Sequence, residues 1–249
     1  MTTNETNPKP VIVVLGATGG IGSEVCRRLA ADGAHLILAA RDAERLEALA
    51  EATGGTAVPL DARDVGEVAK AFDAAREAHG RVDGAVNCVG SVYLKPAHAT
   101  SPEDWGQVLA TNLTSAFGTV RAAATAMRKT GGSVVLVSTV AAQLGLPNHE
   151  AIAAAKGGVE ALTRSAAATY ASKGIRVNAV APGLVETPAT TRLTASEAAR
   201  KNSEGMIPLR RIGTPGDVAS AITWLLDPAN DWVTGQVLGL DGGLGAVRA

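Results

Sequence analysis

The residues best placed to do chemistry begin at Gly16. The run Gly16-Ala17-Thr18-Gly19-Gly20-Ile21-Gly22 follows an unbroken apolar run, Val11–Leu15, and opens a helix. Glycines at 16, 20 and 22 allow a tight turn and let the backbone approach a pyrophosphate closely. The helix start beyond them offers free N–H groups and positive potential to phosphate. This is the chemistry of a dinucleotide cradle, with Thr18 and Ile21 on the same loop. The end of the next apolar run, His35–Ala39, decides which dinucleotide it holds. An Asp or Glu there would bond the ribose 2′-hydroxyl of NAD and repel a 2′-phosphate. The chain instead has Ala40 followed by Arg41. A guanidinium pairs bidentately with phosphate, so NADP(H) is the expected cofactor. Asp42 reads as a helix cap rather than an NAD-binding acid.

The spacing Gly-x-x-x-Gly-x-Gly resembles that of the short-chain dehydrogenase/reductase family, and the resemblance runs over nearly the whole chain. Asn87-Cys88-Val89-Gly90 resembles the family's Asn-Asn-Ala-Gly segment. Asp61, followed by Ala62, sits where the family has an Asp beside the adenine ring. Pro182-Gly183-x-Val185-x-Thr187 resembles the segment that holds the nicotinamide carboxamide. Val233 to Gly243 resembles the family's last strand and its Asp-Gly-Gly end. The resemblance implies hydride transfer between NADP(H) and a small carbonyl or alcohol substrate. It also implies a homotetramer, with the long helices after the fourth and fifth strands forming one interface.

The family uses an Asn, a Ser, a Tyr and a Lys. The Tyr phenol donates or accepts the proton. The Lys, four residues later, lowers the phenol's pKa and binds the nicotinamide ribose. The Ser holds the substrate oxygen, and the Asn anchors a water that feeds protons to the Lys. The resemblance places Asn112 and Lys156 in the Asn and Lys roles. Four residues before Lys156 stands Ile152, which cannot carry a proton. Thr139 stands where the family has Ser and keeps a hydroxyl, with Ser138 beside it as a substitute if the register slips.

Other groups could serve in place of the phenol. Tyr170 precedes Lys173 by three residues, but at the far end of the helix, so it reads as structural. Tyr93, after the fourth strand, and Ile152 both border the expected substrate region. His149 precedes Ile152 by three residues and falls on the same helical face. An imidazole exchanges protons at neutral pH. Glu150 reads as a partner of the helix N-terminus, or as a residue that orients His149 or meets a cationic substrate. Three activities follow. One is carbonyl chemistry with His149, or a water held by Thr139, as the proton donor. Another is imine or iminium reduction, whose activated carbon needs no strong donor. The third is NADP(H) binding without redox chemistry.

These groups need a scaffold, and the pattern supplies one. Short apolar runs at 11–15, 35–39, 56–60, 83–89, 133–137, 175–180 and 236–240 alternate with helical stretches. That alternation implies an α/β fold, a doubly wound parallel sheet of about seven strands with helices on both faces. One helical region is expected over 102–129, and one long Ala-rich helix over 149–172. Residues 184–206 are polar and helix-prone, as in a lid over the substrate. Residues 10–249 are expected to form a single domain, preceded by a disordered tail over 1–9.

Of the residues, 46% are hydrophobic and 3% aromatic, so the core rests on Ala, Val, Leu and Ile. The net charge is −1, which predicts neither a nucleic-acid nor a membrane partner. No apolar run approaches the ~20 residues of a membrane span. Cys26 and Cys88 sit in no metal-ligand pattern and read as small apolar residues of a reducing cytoplasm.

Overall fold

The computed structural model describes residues 9–247, so the expected tail falls almost wholly outside the described residues. Seven strands form one parallel sheet: β1 (Val11–Leu15), β2 (His35–Ala40), β3 (Thr56–Pro59), β4 (Gly84–Asn87), β5 (Gly132–Val137), β6 (Ile175–Pro182) and β7 (Val237–Leu240). Their order is β3-β2-β1-β4-β5-β6-β7. Among the described residues, eight α-helices accompany them: α1 (Gly20–Ala31), α2 (Ala43–Thr53), α3 (Val65–His79), α4 (Pro102–Leu109), α5 (Ser115–Ala126), α6 (Glu150–Tyr170), α7 (Glu197–Met206) and α8 (Pro215–Leu226).

The unbroken apolar strands are explained by burial on both faces. Side chains alternate across a strand, so β1 divides its residues between two cores. Val11, Val13 and Leu15 join Val68 and Phe72 of α3, Val120 of α5 and Val159 of α6. Ile12 and Val14 join Val25 of α1, Leu46 of α2 and Ile222 of α8 on the other face. The order reverses between β1 and β4. In doubly wound sheets, ligands bind outside the carboxyl ends of the strands at this reversal. The loops leaving β1 and β4 there are those carrying Gly16–Gly22 and Cys88–Gly90.

The helix signals fall close to their expected places. Asp42 caps α2 by accepting from the Arg45 amide, and Asp64 caps α3. Gly33 turns the chain after α1 at φ +83, and Gly80 ends α3 in the left-handed region. The helical region expected over 102–129 runs without a break from Pro102 to Ala126, with one π turn at Ala110–Thr114 between α4 and α5. The reason is tertiary: Asn112, at the centre of the turn, is buried and bonded to the loop after β4. Among the described residues, no helix is long and apolar enough to cross a membrane.

Candidate active site

Glycine geometry builds the cofactor cradle. Gly16 has φ +72, and a Cβ there would stand 2.8 Å from the Cys88 carbonyl carbon and the Val89 nitrogen. The loops after β1 and β4 thus meet backbone to backbone. A Cβ on Gly22 would stand 2.2 Å from the Gly16 carbonyl oxygen, and one on Gly20 would stand 2.8 Å from Thr187 Cγ2. Ile21 packs against the core below. Helices α2, α3, α4, α7 and α8 each begin with a side-chain cap; α1, like α5 and α6, begins without one, and its N-cap Gly19 has no side chain to offer. An open helix start behind a cradle that side chains would fill fits a dinucleotide pyrophosphate. The segment after β6 closes the cradle. Pro182 ends the strand, the Gly183 amide donates to the Leu240 carbonyl at 3.1 Å, and buried Val185 bridges Gly213. Thr190 Oγ1 donates to the Val185 carbonyl at 2.6 Å and accepts from the Thr187 amide at 3.0 Å, which fixes Thr187 against Gly20.

Arginines gather beside the loops that follow β2 and β3. Ala40 ends β2 and Arg41 is exposed beside it. Asp42 is occupied as the α2 cap, at 3.1 Å from the Arg45 amide. Arg45 reaches back to donate to the Thr18 carbonyl at 2.9 Å. Arg63 Nε donates to Asp61 Oδ2 at 2.8 Å, and Arg63 Nη1 to Gln107 Oε1 at 3.0 Å. The Arg63 guanidinium holds the Asp61 carboxyl below the usual carboxylate range, and Arg41 adds to the effect. Ala62 beside it is buried. Arg45 and Arg63 escaped the sequence reading because each acts through a folded contact; their nearness to Arg41 and Asp61 was the available signal.

At the centre lies Lys156, 5% exposed, with Nζ donating to the Val137 carbonyl at 2.7 Å. Burial lowers its pKa to about 8, because a charged ammonium is poorly solvated there. A Cβ on Gly90 would stand 3.5 Å from Lys156 Nζ and 3.3 Å from Asn112 Oδ1, so these three residues converge. Asn112 accepts from the Ser91 amide at 3.1 Å and donates to Ser91 Oγ at 3.0 Å. The π turn presents it there, as π turns often do at functional sites. Asn87 contributes differently. Its side chain is buried and committed to the Val89 amide, Ser115 and Thr119, so it shapes the loop from behind. The Cys88 thiol is pushed up to about 12 by burial and stays protonated at neutral pH.

The hydroxyl question resolves. Ser138 is buried and donates to Glu160 Oε1 at 3.0 Å, so no register slip brings it to the mouth. Thr139 is half-buried at the end of β5, with Oγ1 3.3 Å from the Pro182 carbonyl. Ile152 is buried in a small apolar cluster with Val108, Ala151 and Ala155, against which Tyr93 packs. The Tyr93 hydroxyl donates to Asp104 at 2.9 Å. His149 immediately precedes α6, which starts at Glu150, one residue later than expected. Its Nδ1 meets the Pro147 carbonyl at 2.8 Å. A carbonyl only accepts, so Nδ1 carries a proton and Nε2 is the nitrogen left to exchange one. Glu150 Oε1 accepts from the Ala97 amide at 3.4 Å rather than meeting His149. Tyr170 packs against the core at the far end of α6, as a structural residue would.

The chain is similar to known proteins in sequence and fold. A family model described as Enoyl-(Acyl carrier protein) reductase matches residues 16–245. The 3beta-hydroxysteroid dehydrogenase 1 of Eggerthella lenta is 37% identical over 94% of this chain and 92% of its own. A short-chain type dehydrogenase/reductase from Mycobacterium ulcerans superposes with a TM-score of 0.92 at 30% identity, covering 96% of this chain and 91% of its own. ElxO, solved with NADP bound, superposes with a TM-score of 0.89 at 27% identity, covering 95% and 98%. The glycine cradle, the convergence of Asn112 with Lys156 and these similarities together show that the chain belongs to the short-chain dehydrogenase/reductase family.

Proposed function

We propose that this protein is an NADP(H)-dependent oxidoreductase acting on a small carbonyl or alcohol substrate, with an atypical proton donor. The observation that carries the reading is the convergence of Lys156 Nζ, Asn112 and Gly90 at the mouth of the sheet. Bound NADPH supplies the hydride. Gly16, Thr18, Gly20, Ile21 and Gly22 hold its pyrophosphate, and Arg41, aided by Arg45, receives the 2′-phosphate. Asp61 and Ala62 border the adenine, Asn87 and Gly90 shape the wall, and Pro182, Gly183, Val185 and Thr187 hold the carboxamide. The NADP bound to ElxO supports this choice of cofactor.

Thr139 Oγ1 takes the substrate oxygen. Lys156, as an ammonium, binds the nicotinamide ribose. His149 passes the proton through Nε2, or a water held by Thr139 does so. Ile152 and Lys156 form one stripe of α6, and His149 stands at the N-cap of that helix, three residues before Ile152. Residues 184–206, including α7, serve as the substrate lid. We also read the molecule as a homotetramer of the cytoplasm.

A second reading has its own support. Ile152 lies in an apolar cluster, so no proton donor stands at that position. Such a site is compatible with an iminium substrate, whose carbon needs no donor. The test is NADPH oxidation over a panel of ketones and cyclic imines. Carbonyl chemistry through His149 predicts that His149→Ala loses about 10²–10⁴-fold in ketone turnover. An unchanged ketone rate in that variant rejects His149, and turnover of imines alone favours the second reading.

A further inference from the structure

Glu160 lies one helical turn beyond Lys156, on the stripe of α6 that carries Ile152 and Lys156. It is 7% exposed, and an acid this deeply buried requires hydrogen-bonding partners. It has two, and both meet the same oxygen. Ser138 Oγ donates to Glu160 Oε1 at 3.0 Å, and Gln143 Nε2 donates to Oε1 at 3.0 Å. Ser138 and Gln143 are the two ends of a six-residue segment that leaves β5 and makes a 3₁₀ turn at Val140–Ala142. Thr139 lies between them. Its own bonds are long: 3.3 Å to the Pro182 carbonyl and 3.4 Å from the Ala141 amide. The Thr139 hydroxyl is thus weakly held by itself, on a backbone pinned at both ends by one carboxylate oxygen.

We propose that Glu160 is a positioning residue: by anchoring Ser138 and Gln143 it holds the Thr139 hydroxyl where the substrate oxygen is received. The inference rests on the role given to Thr139 above. Glu160 touches neither substrate nor cofactor in this account. Its effect is geometric, and a misplacement of about 1 Å at a reacting group can cost about 10²-fold in rate.

The experiment is a double-variant cycle read in two ways. Glu160→Ala is expected to lower kcat about 10–100-fold with KM for NADPH unchanged. In a Thr139→Val background the same substitution should lower kcat by less than about threefold, because the hydroxyl it positions is gone. Glu160→Gln, whose amide oxygen still accepts from both donors, should recover most of the loss. Equal losses in both backgrounds, or no loss, would overturn the proposal. The second reading needs no turnover. Amide exchange over residues 139–142 should speed up about tenfold or more in Glu160→Ala and not in Glu160→Gln. Unchanged exchange in Glu160→Ala overturns the positioning role even if the parent chain oxidises no NADPH. Activity absent from the parent, with exchange behaving as expected, rejects the assigned function and leaves the anchor standing. Should Glu160→Ala fail to fold, Gln143→Ala removes one anchor and is measured the same way.

Discussion

Arg41 stands exposed past the end of β2, where its guanidinium is free to turn toward a ribose phosphate. A charge-assisted bond to phosphate contributes about 1.5–3 kcal/mol. Arg41→Ala should therefore raise KM for NADPH about 10–100-fold and leave KM for NADH nearly unchanged. Steady-state kinetics with both cofactors checks this, and an equal effect on both would place Arg41 outside the site. Lys156 makes a second prediction at this scale. Burial lowers its pKa to about 8 from the usual 10.5, so the ammonium is lost as pH rises through about 8. The kcat/KM for NADPH of the free enzyme should fall above that pH. The stability effect has the opposite sign. Between about 8 and 10.5 the unfolded chain holds a proton that the folded chain has released. Stability from this group therefore rises with pH across that window. A pH profile of kcat/KM beside a pH series of chemical denaturation checks both slopes.

At the scale of elements, the caps separate structural acids from functional ones. Asp42 sits one residue from the cofactor-selecting position, yet its carboxylate is bonded to the Arg45 amide. Asp42→Ala should cost about 1 kcal/mol of stability and give no change in the NADPH-to-NADH preference. A large change in that preference would make Asp42 a cofactor ligand. Much at this scale was legible in the sequence. Strand runs, the Asp42 and Asp64 caps, and the glycines at 33 and 80 announce themselves within a few residues. What stayed hidden depends on partners far along the chain. The π turn at Ala110–Thr114 is set by Asn112 bonding to Ser91, 21 residues away. Asn87 looks like a ligand by motif but faces Ser115 and Thr119. Glu160 was partly readable, as an acid on the same stripe as Ile152 and Lys156, but its donors come from the strand β5 side of the site. Ile152 itself was fully legible as a replacement; its apolar neighbours were not.

For the whole molecule, we assign the interface of the proposed homotetramer to the face formed by α5 and α6. A groove of about 660 Å³ runs between them, lined by Phe117, Val120, Arg121, Leu162, Ala166 and Tyr170. Phe117 is 49% exposed, a large apolar residue left for a partner to cover. Phe117→Asp should shift sedimentation from four copies toward smaller species, and an unchanged profile would move the interface elsewhere. The assembly matters less than the chemistry proposed for one chain, hydride transfer from NADPH without the family's phenol. The most direct measurement follows NADPH oxidation by the parent protein, and by His149→Ala, over the panel of ketones and cyclic imines. Turnover of at least one substrate class is expected, at least tenfold faster with NADPH than with NADH, since one charge-assisted contact to the 2′-phosphate is worth about that factor. Tight NADPH binding with no oxidation across the panel would contradict it and leave a protein that holds the cofactor without using it.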